Sequence, residues 1–93
     1  MQTTKERCIE FLTDRGLWPN EAEAVLEKAK PEIEVGGYRM TWERPASEYP
    51  VELYAVIGLI LSRNAVEWID RNKPMHFARM MFVPQNPVAL TAP

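Results

Sequence analysis

Cysteine, histidine and charge imbalance are all scarce in this 93-residue chain, and each shortage removes a class of function. Cys8 stands alone, so no intramolecular disulfide can form and no cysteine-based metal site exists. Small secreted domains are usually stapled by several disulfides, so a reducing cytoplasm is the expected compartment. His76 is the only histidine, and no second ligand accompanies it at helical or CxxC spacing. Metal sites and acid–base pairs need several converging groups, so no metal, no cofactor and no enzymatic activity are expected. The formal net charge is −2, which gives no global field to attract nucleic acid or an anionic membrane. Long apolar runs are missing as well. The densest, LYAVIGLIL at residues 53–61, lies between Glu52 and Arg63. It falls short of the ~17–25 residues a helix needs to cross a bilayer. The N-terminal MQTTKERCIEF has no run of signal-peptide length.

What remains is an ordinary globular composition, 46% hydrophobic, in a chain long enough for one domain. A domain of this size buries roughly 60–65% of its unfolded surface, so its core is small. The patterning predicts a mainly α fold: a compact three-helix single domain over residues 1–82, with a long central C-terminal helix. A proline-rich tail, extended or disordered, is expected over 83–93.

Thr3 followed by Glu6 is a capping-box pattern, and Cys8, Phe11, Leu12 and Arg15 share one face of the helix it opens. Gly16 suits the end of that helix. A second helix is expected after Pro19, capped by Asn20 with Glu23 and striped by Ala22, Val25, Leu26 and Ala29. Pro31 should end or kink it, although Ile33 would extend the stripe through one distorted turn. Beyond it, Ile33 and Val35 alternate with glutamates, and Tyr38, Met40 and Trp42 alternate with polar residues around Gly36 and Gly37. Residues 32–43 can therefore be read as a small β-hairpin or as an extended segment. The third helix, over about 50–71, is apolar all round in its first half, the mark of a helix enclosed by other elements. Residues 53–61 should then be covered by the first two helices and by residues 38–42. Gly58, flanked by Ala55 and Ser62, offers a close-approach strip for self-association, and a homodimer is expected through it.

Glu21, Glu23, Glu27, Glu32 and Glu34 form an acidic stretch relieved only by Lys28 and Lys30. Such a stretch is commonly a solvated helix face; its sharper reading is a negative surface that binds a basic protein partner. A DNA-reading role for the second helix is not expected, because of the glutamates it would bring against phosphate. Cys8, on an apolar helix face, reads as a small hydrophobe rather than a nucleophile. His76 reads as a surface or packing residue.

Three short patterns carry a resemblance: CIEFLTDRGLWPNEAEAVLE, YRMTWERPASEYP and AVEWIDRNKPMHFARMMF. Together they make the chain similar to small proteins encoded by bacteriophages and integrated prophages. In that family a Trp-Pro connection, a Thr-Trp-acidic segment leading to Tyr-Pro, and a late Asn-x-Pro recur in this order. Trp18, Trp42, Tyr49 and Pro50 match. The resemblance implies a viral origin and a bacterial cytoplasm, and it brings no activity or catalytic residue with it. The function expected is that of a non-enzymatic accessory protein binding a host bacterial protein through the acidic surface, with a defence or nucleic-acid enzyme as one version of that partner. A self-associating structural or assembly protein is the alternative. Neither a membrane nor nucleic acid is an expected partner.

Overall fold

Thr3 sets the first helix. In a computed structural model, described for residues 1–35 and 41–83, its side chain accepts from the Glu6 N–H at 3.1 Å. The Glu6 carboxylate accepts from the Thr3 N–H at 2.8 Å, completing the capping box. Two more donors of the opening turn, which no helix can satisfy internally, are met from a distant segment. The Thr4 and Lys5 N–H groups donate to the carbonyls of Arg44 and Trp42 at 2.8 and 3.0 Å. The connection ahead of the third helix is thereby pinned to the start of α1 (Thr4–Thr13), with one isolated antiparallel bridge between Thr3 and Pro45.

Gly16 follows α1 at φ +108°, a conformation costly to other residues. Its missing Cβ also leaves room for the Phe77 ring, which would stand 2.9 Å from a β-carbon there. Helix α2 (Pro19–Val35) begins two residues earlier than the Asn20 cap would place it. Pro19, whose missing N–H costs nothing in a first turn, opens the helix. The Trp18 N–H donates to the Glu21 carboxylate at 2.8 Å, so Glu21 rather than Glu23 reaches back to the helix start.

Pro31 does not end α2. The helix runs on to Val35, and Ile33 is fully buried in line with Ala22, Val25, Leu26 and Ala29. Completing that stripe offsets the backbone bond that proline removes. The first arm of the hairpin reading is therefore helical. Thr41 and Trp42 are not in a strand either, and residues 36–40 lie outside the described residues.

A short 3₁₀ turn (Ala46–Glu48) leads to α3 (Val51–Asn72), with Pro50 at its N-cap. The Tyr54 hydroxyl donates to the Ala46 carbonyl at 2.9 Å and ties α3 to the connection. One turn of helix, α4 (Arg79–Phe82), packs back on α3. The chain is a mainly α single domain whose core lies where α1 and α2 meet one side of α3. Ile57, Leu61, Ala65 and Ile69 of α3 face Leu12, Leu26 and Ile33 there, all at most 1% exposed.

Candidate functional site

The five glutamates singled out by sequence do not form one free surface. Glu21 is 2% exposed and belongs to the interior. Glu27 pairs with Lys30 at 2.9 Å, Glu32 pairs with Arg63 of α3, and Glu23 approaches Lys5 to 3.8 Å. Glu34 accepts from the Trp42 indole N–H at 3.3 Å. Four of these side chains remain solvent-facing, yet much of their charge is matched by cations of this same chain.

Glu21 is instead the centre of a clasp that sequence reading missed. One carboxylate oxygen accepts from Lys73 Nζ at 2.7 Å; the other takes the Trp18 N–H and stands 3.2 Å from His76 Nε2. The Ala78 N–H donates to His76 Nδ1 at 3.0 Å, so that nitrogen is the acceptor and Nε2 carries the hydrogen toward Glu21. Burial pushes the Glu21 carboxyl up, but the Lys73, Trp18 and His76 hydrogen bonds outweigh it and hold the group below the usual carboxylate range. The clasp joins the start of α2 to the turn after α3 across 52 and 55 residues of sequence. Local spacing could not reveal that. No nucleophile adjoins it in these contacts, so its work is to hold chain segments together.

Cys8 is buried on α1, and burial pushes its thiol up to about 11. A thiol so protonated near neutral pH is a poor nucleophile. His76 is the packing residue of the two readings, stacked on Phe77 with ring centroids 5.0 Å apart. Among the described residues no three His, Cys, Asp or Glu side chains gather as a metal site would require. None of the described helices is long and apolar enough to cross a membrane.

The open feature lies on α3. Contrary to the expectation of an enclosed helix, the described residues cover the apolar stretch at 53–61 on one side only, and residues 38–40, expected to share in covering it, lie outside the described residues. Ile57 and Leu61 are buried, but Leu59 is 45% exposed, Val51 is 74% exposed, and Ala55 and Val56 are also open to solvent. Part of this face floors a groove of about 820 Å³ bounded by α1, α3 and the end of α4. Ala55, Gly58, Leu59, Ser62 and Val66 line it from α3, while Met81, 58% exposed, closes one end. A smaller recess of about 260 Å³ shares Phe11, Tyr54, Ala55 and Gly58 with it and extends it toward Arg7.

All three residues expected to mediate self-association therefore line the groove, but Gly58 already has a neighbour. A β-carbon at Gly58 would stand 3.3 Å from the Phe11 ring, so its lack of side chain serves the approach of α1 to α3. Ala55 is exposed and Ser62 half-buried. Apolar area left to water at helical spacing is a surface that binding can cover.

No protein-family model matches the chain, and neither a curated protein nor a solved structure matches it.

Proposed function

We propose that this protein acts by binding another protein, without catalysis, and that its contact surface is the apolar groove between α1, α3 and α4. The observation that carries this reading is the bare face of α3, with Leu59 and Met81 about half exposed beside the small residues Ala55 and Ser62. Leaving these groups in water forgoes roughly 25 cal/mol per Å² of burial, a gain that a partner can recover. The acidic residues of α2 are a weaker basis for binding, because Glu27 and Glu32 are engaged by Lys30 and Arg63 and Glu21 is interior. The resemblance of three short patterns to phage and prophage proteins is the basis on which a host protein of the bacterial cytoplasm is proposed as the partner.

The test is capture of partners from bacterial lysate by tagged wild type, by Leu59→Glu and by the double reversal Glu23→Lys, Glu27→Lys. A partner lost with Leu59→Glu and kept with the double reversal is the expected result. The opposite pattern would return the function to the acidic face of α2. A second reading, self-association, is favoured by the position of Ala55 and Ser62 on the same open face. It requires a dimeric mass at high micromolar concentration, reduced to monomer by Ala55→Glu.

A further inference from the structure

The two sides of the groove differ in charge. Arg7 and Phe11 stand four residues apart on α1, and Arg15, in the turn just past its end, continues the same edge of the groove. The Arg7 guanidinium lies 4.1 Å from the centre of the Tyr54 ring. That of Arg15 lies 3.6 Å from the centre of the Phe11 ring and donates to the Phe11 carbonyl at 2.9 Å. Both are held in place, yet neither forms an ion pair among the described residues. Residues 36–40 and 84–93 contain no Asp or Glu that could supply one. The other groove arginines are satisfied: Arg63 pairs with Glu32 and Glu67, and Arg79 with Asp70.

Resting on the reading of the groove as a binding surface, we propose that its occupant is an amphipathic helix of another protein, with Asp or Glu residues along one flank of its apolar stripe. The floor has the length and texture for a helix. Ala55, Gly58, Leu59, Ser62 and Val66 follow α3 over three turns, roughly 16 Å, and the small residues among them let a second backbone approach closely. Arg7 on α1 and Arg15 just past its end stand at opposite ends of the edge built around Phe11, where two acidic residues spaced along one flank of a helix would meet them. Their guanidiniums are already ordered by Tyr54 and Phe11, so little side-chain freedom remains to be lost on pairing with a carboxylate. A second copy of the chain fits less well. The apolar stripes of its α1 and α2 are buried in its own core, the bare face of α3 is itself the groove floor, and the exposed Trp18, Met75 and Phe77 lie in connections rather than along a helix stripe.

The experiment is a display library of amphipathic helical peptides, with a fixed leucine stripe and flank positions varied among Glu, Gln and Lys, selected on the full chain. Wild type should enrich Glu over Lys on one flank by about tenfold, the effect of two charge pairs at a protein surface. The Arg7→Glu, Arg15→Glu variant should reverse the preference toward Lys, and the milder Arg7→Gln, Arg15→Gln variant should abolish it. Circular dichroism would establish that each variant is folded. Enrichment without a flank preference, or a preference unchanged in the folded double variants, overturns the acidic helix and leaves the groove as a binding surface. Failure of wild type to enrich any helix overturns both. A twofold mass by sedimentation at the selection concentration also overturns the proposal, with a second copy as the occupant.

Discussion

Helix α3 has two sides made from the same kinds of residue, one closed and one bare. On the closed side, Ile57, Leu61, Ala65 and Ile69 are at most 1% exposed. The polar groups nearby are fully engaged: Asn64 donates to the Ile60 carbonyl at 2.8 Å and accepts from Lys28 at 2.8 Å, and Lys28 continues to Glu67. On the bare side, Val51, Ala55, Val56 and Leu59 face water. Hydrophobicity alone does not separate the two sides. The polar partners do, because a buried amide must find hydrogen bonds while an exposed leucine has no such requirement. Asn64, buried and satisfied by Ile60 and Lys28, thus marks the seam that α2 seals.

The sharpest way to break this contrast is a pair of equivalent truncations. Leu61→Ala should cost about 2–5 kcal/mol, the usual range for a leucine removed from a packed core. Leu59→Ala should change stability by no more than about 0.5–1 kcal/mol in the free protein. Urea denaturation of both variants measures the difference, and equal losses would mean that the bare side is covered.

The clasp around Glu21 sharpens the contrast through pH. Its carboxyl is held below the ordinary value of 4.5 by Lys73, Trp18 and His76 against the opposing effect of burial. A carboxylate depressed in the folded state gives stability that is fully present above the unfolded value and is lost as pH falls through the folded one. Denaturation midpoints should therefore decline below about pH 4.5, and less steeply in Glu21→Gln. Near neutral pH, Glu21→Ala should cost about 1–3 kcal/mol, because it strands the Trp18 N–H and the buried His76 N–H. A decline of the same slope in both proteins would assign the acid sensitivity to other carboxylates.

Much of the closed side was legible in the sequence. Thr3 and Glu6 announced α1, the Ala22–Val25–Leu26–Ala29 stripe announced α2, and the fold class followed. Three features were not legible, each for a physical reason. Pro31 left two outcomes open, an end or kink of α2 or one more turn to Ile33, and burial of Ile33 decides for continuation because it outweighs the missing hydrogen bond. Glu21 looked like one of five surface acids, because its partners Lys73 and His76 come from the other end of the chain. Residues 53–61 looked enclosed because the pattern of a helix cannot count its neighbours. Two narrow stripes on α1 and α2 cover one side of α3 and no more. Ala55, Gly58 and Ser62, singled out by sequence for self-association, do line the groove.

The smallest expected effect lies where the two sides meet. Gly58→Ala adds helix propensity of about 0.5–1 kcal/mol but sets a methyl 3.3 Å from the Phe11 ring. Phe11 is only half-buried and can yield, so a net stabilisation of up to about 0.5 kcal/mol is expected from thermal unfolding. A loss above 1 kcal/mol would show, as an order of magnitude for overpacking, that α1 is held rigidly against α3 along this edge.

The most direct test of the open face is thiol labelling of Leu59→Cys under native conditions, with Cys8 as the internal control. Cys8 is buried and its thiol is pushed up to about 11, so it should stay unmodified until the chain unfolds. Cys at position 59 should react at nearly the rate of a free thiol in the isolated protein, and become protected when a partner binds. Protection of position 59 in the isolated chain would contradict the account, because the groove would then already be filled.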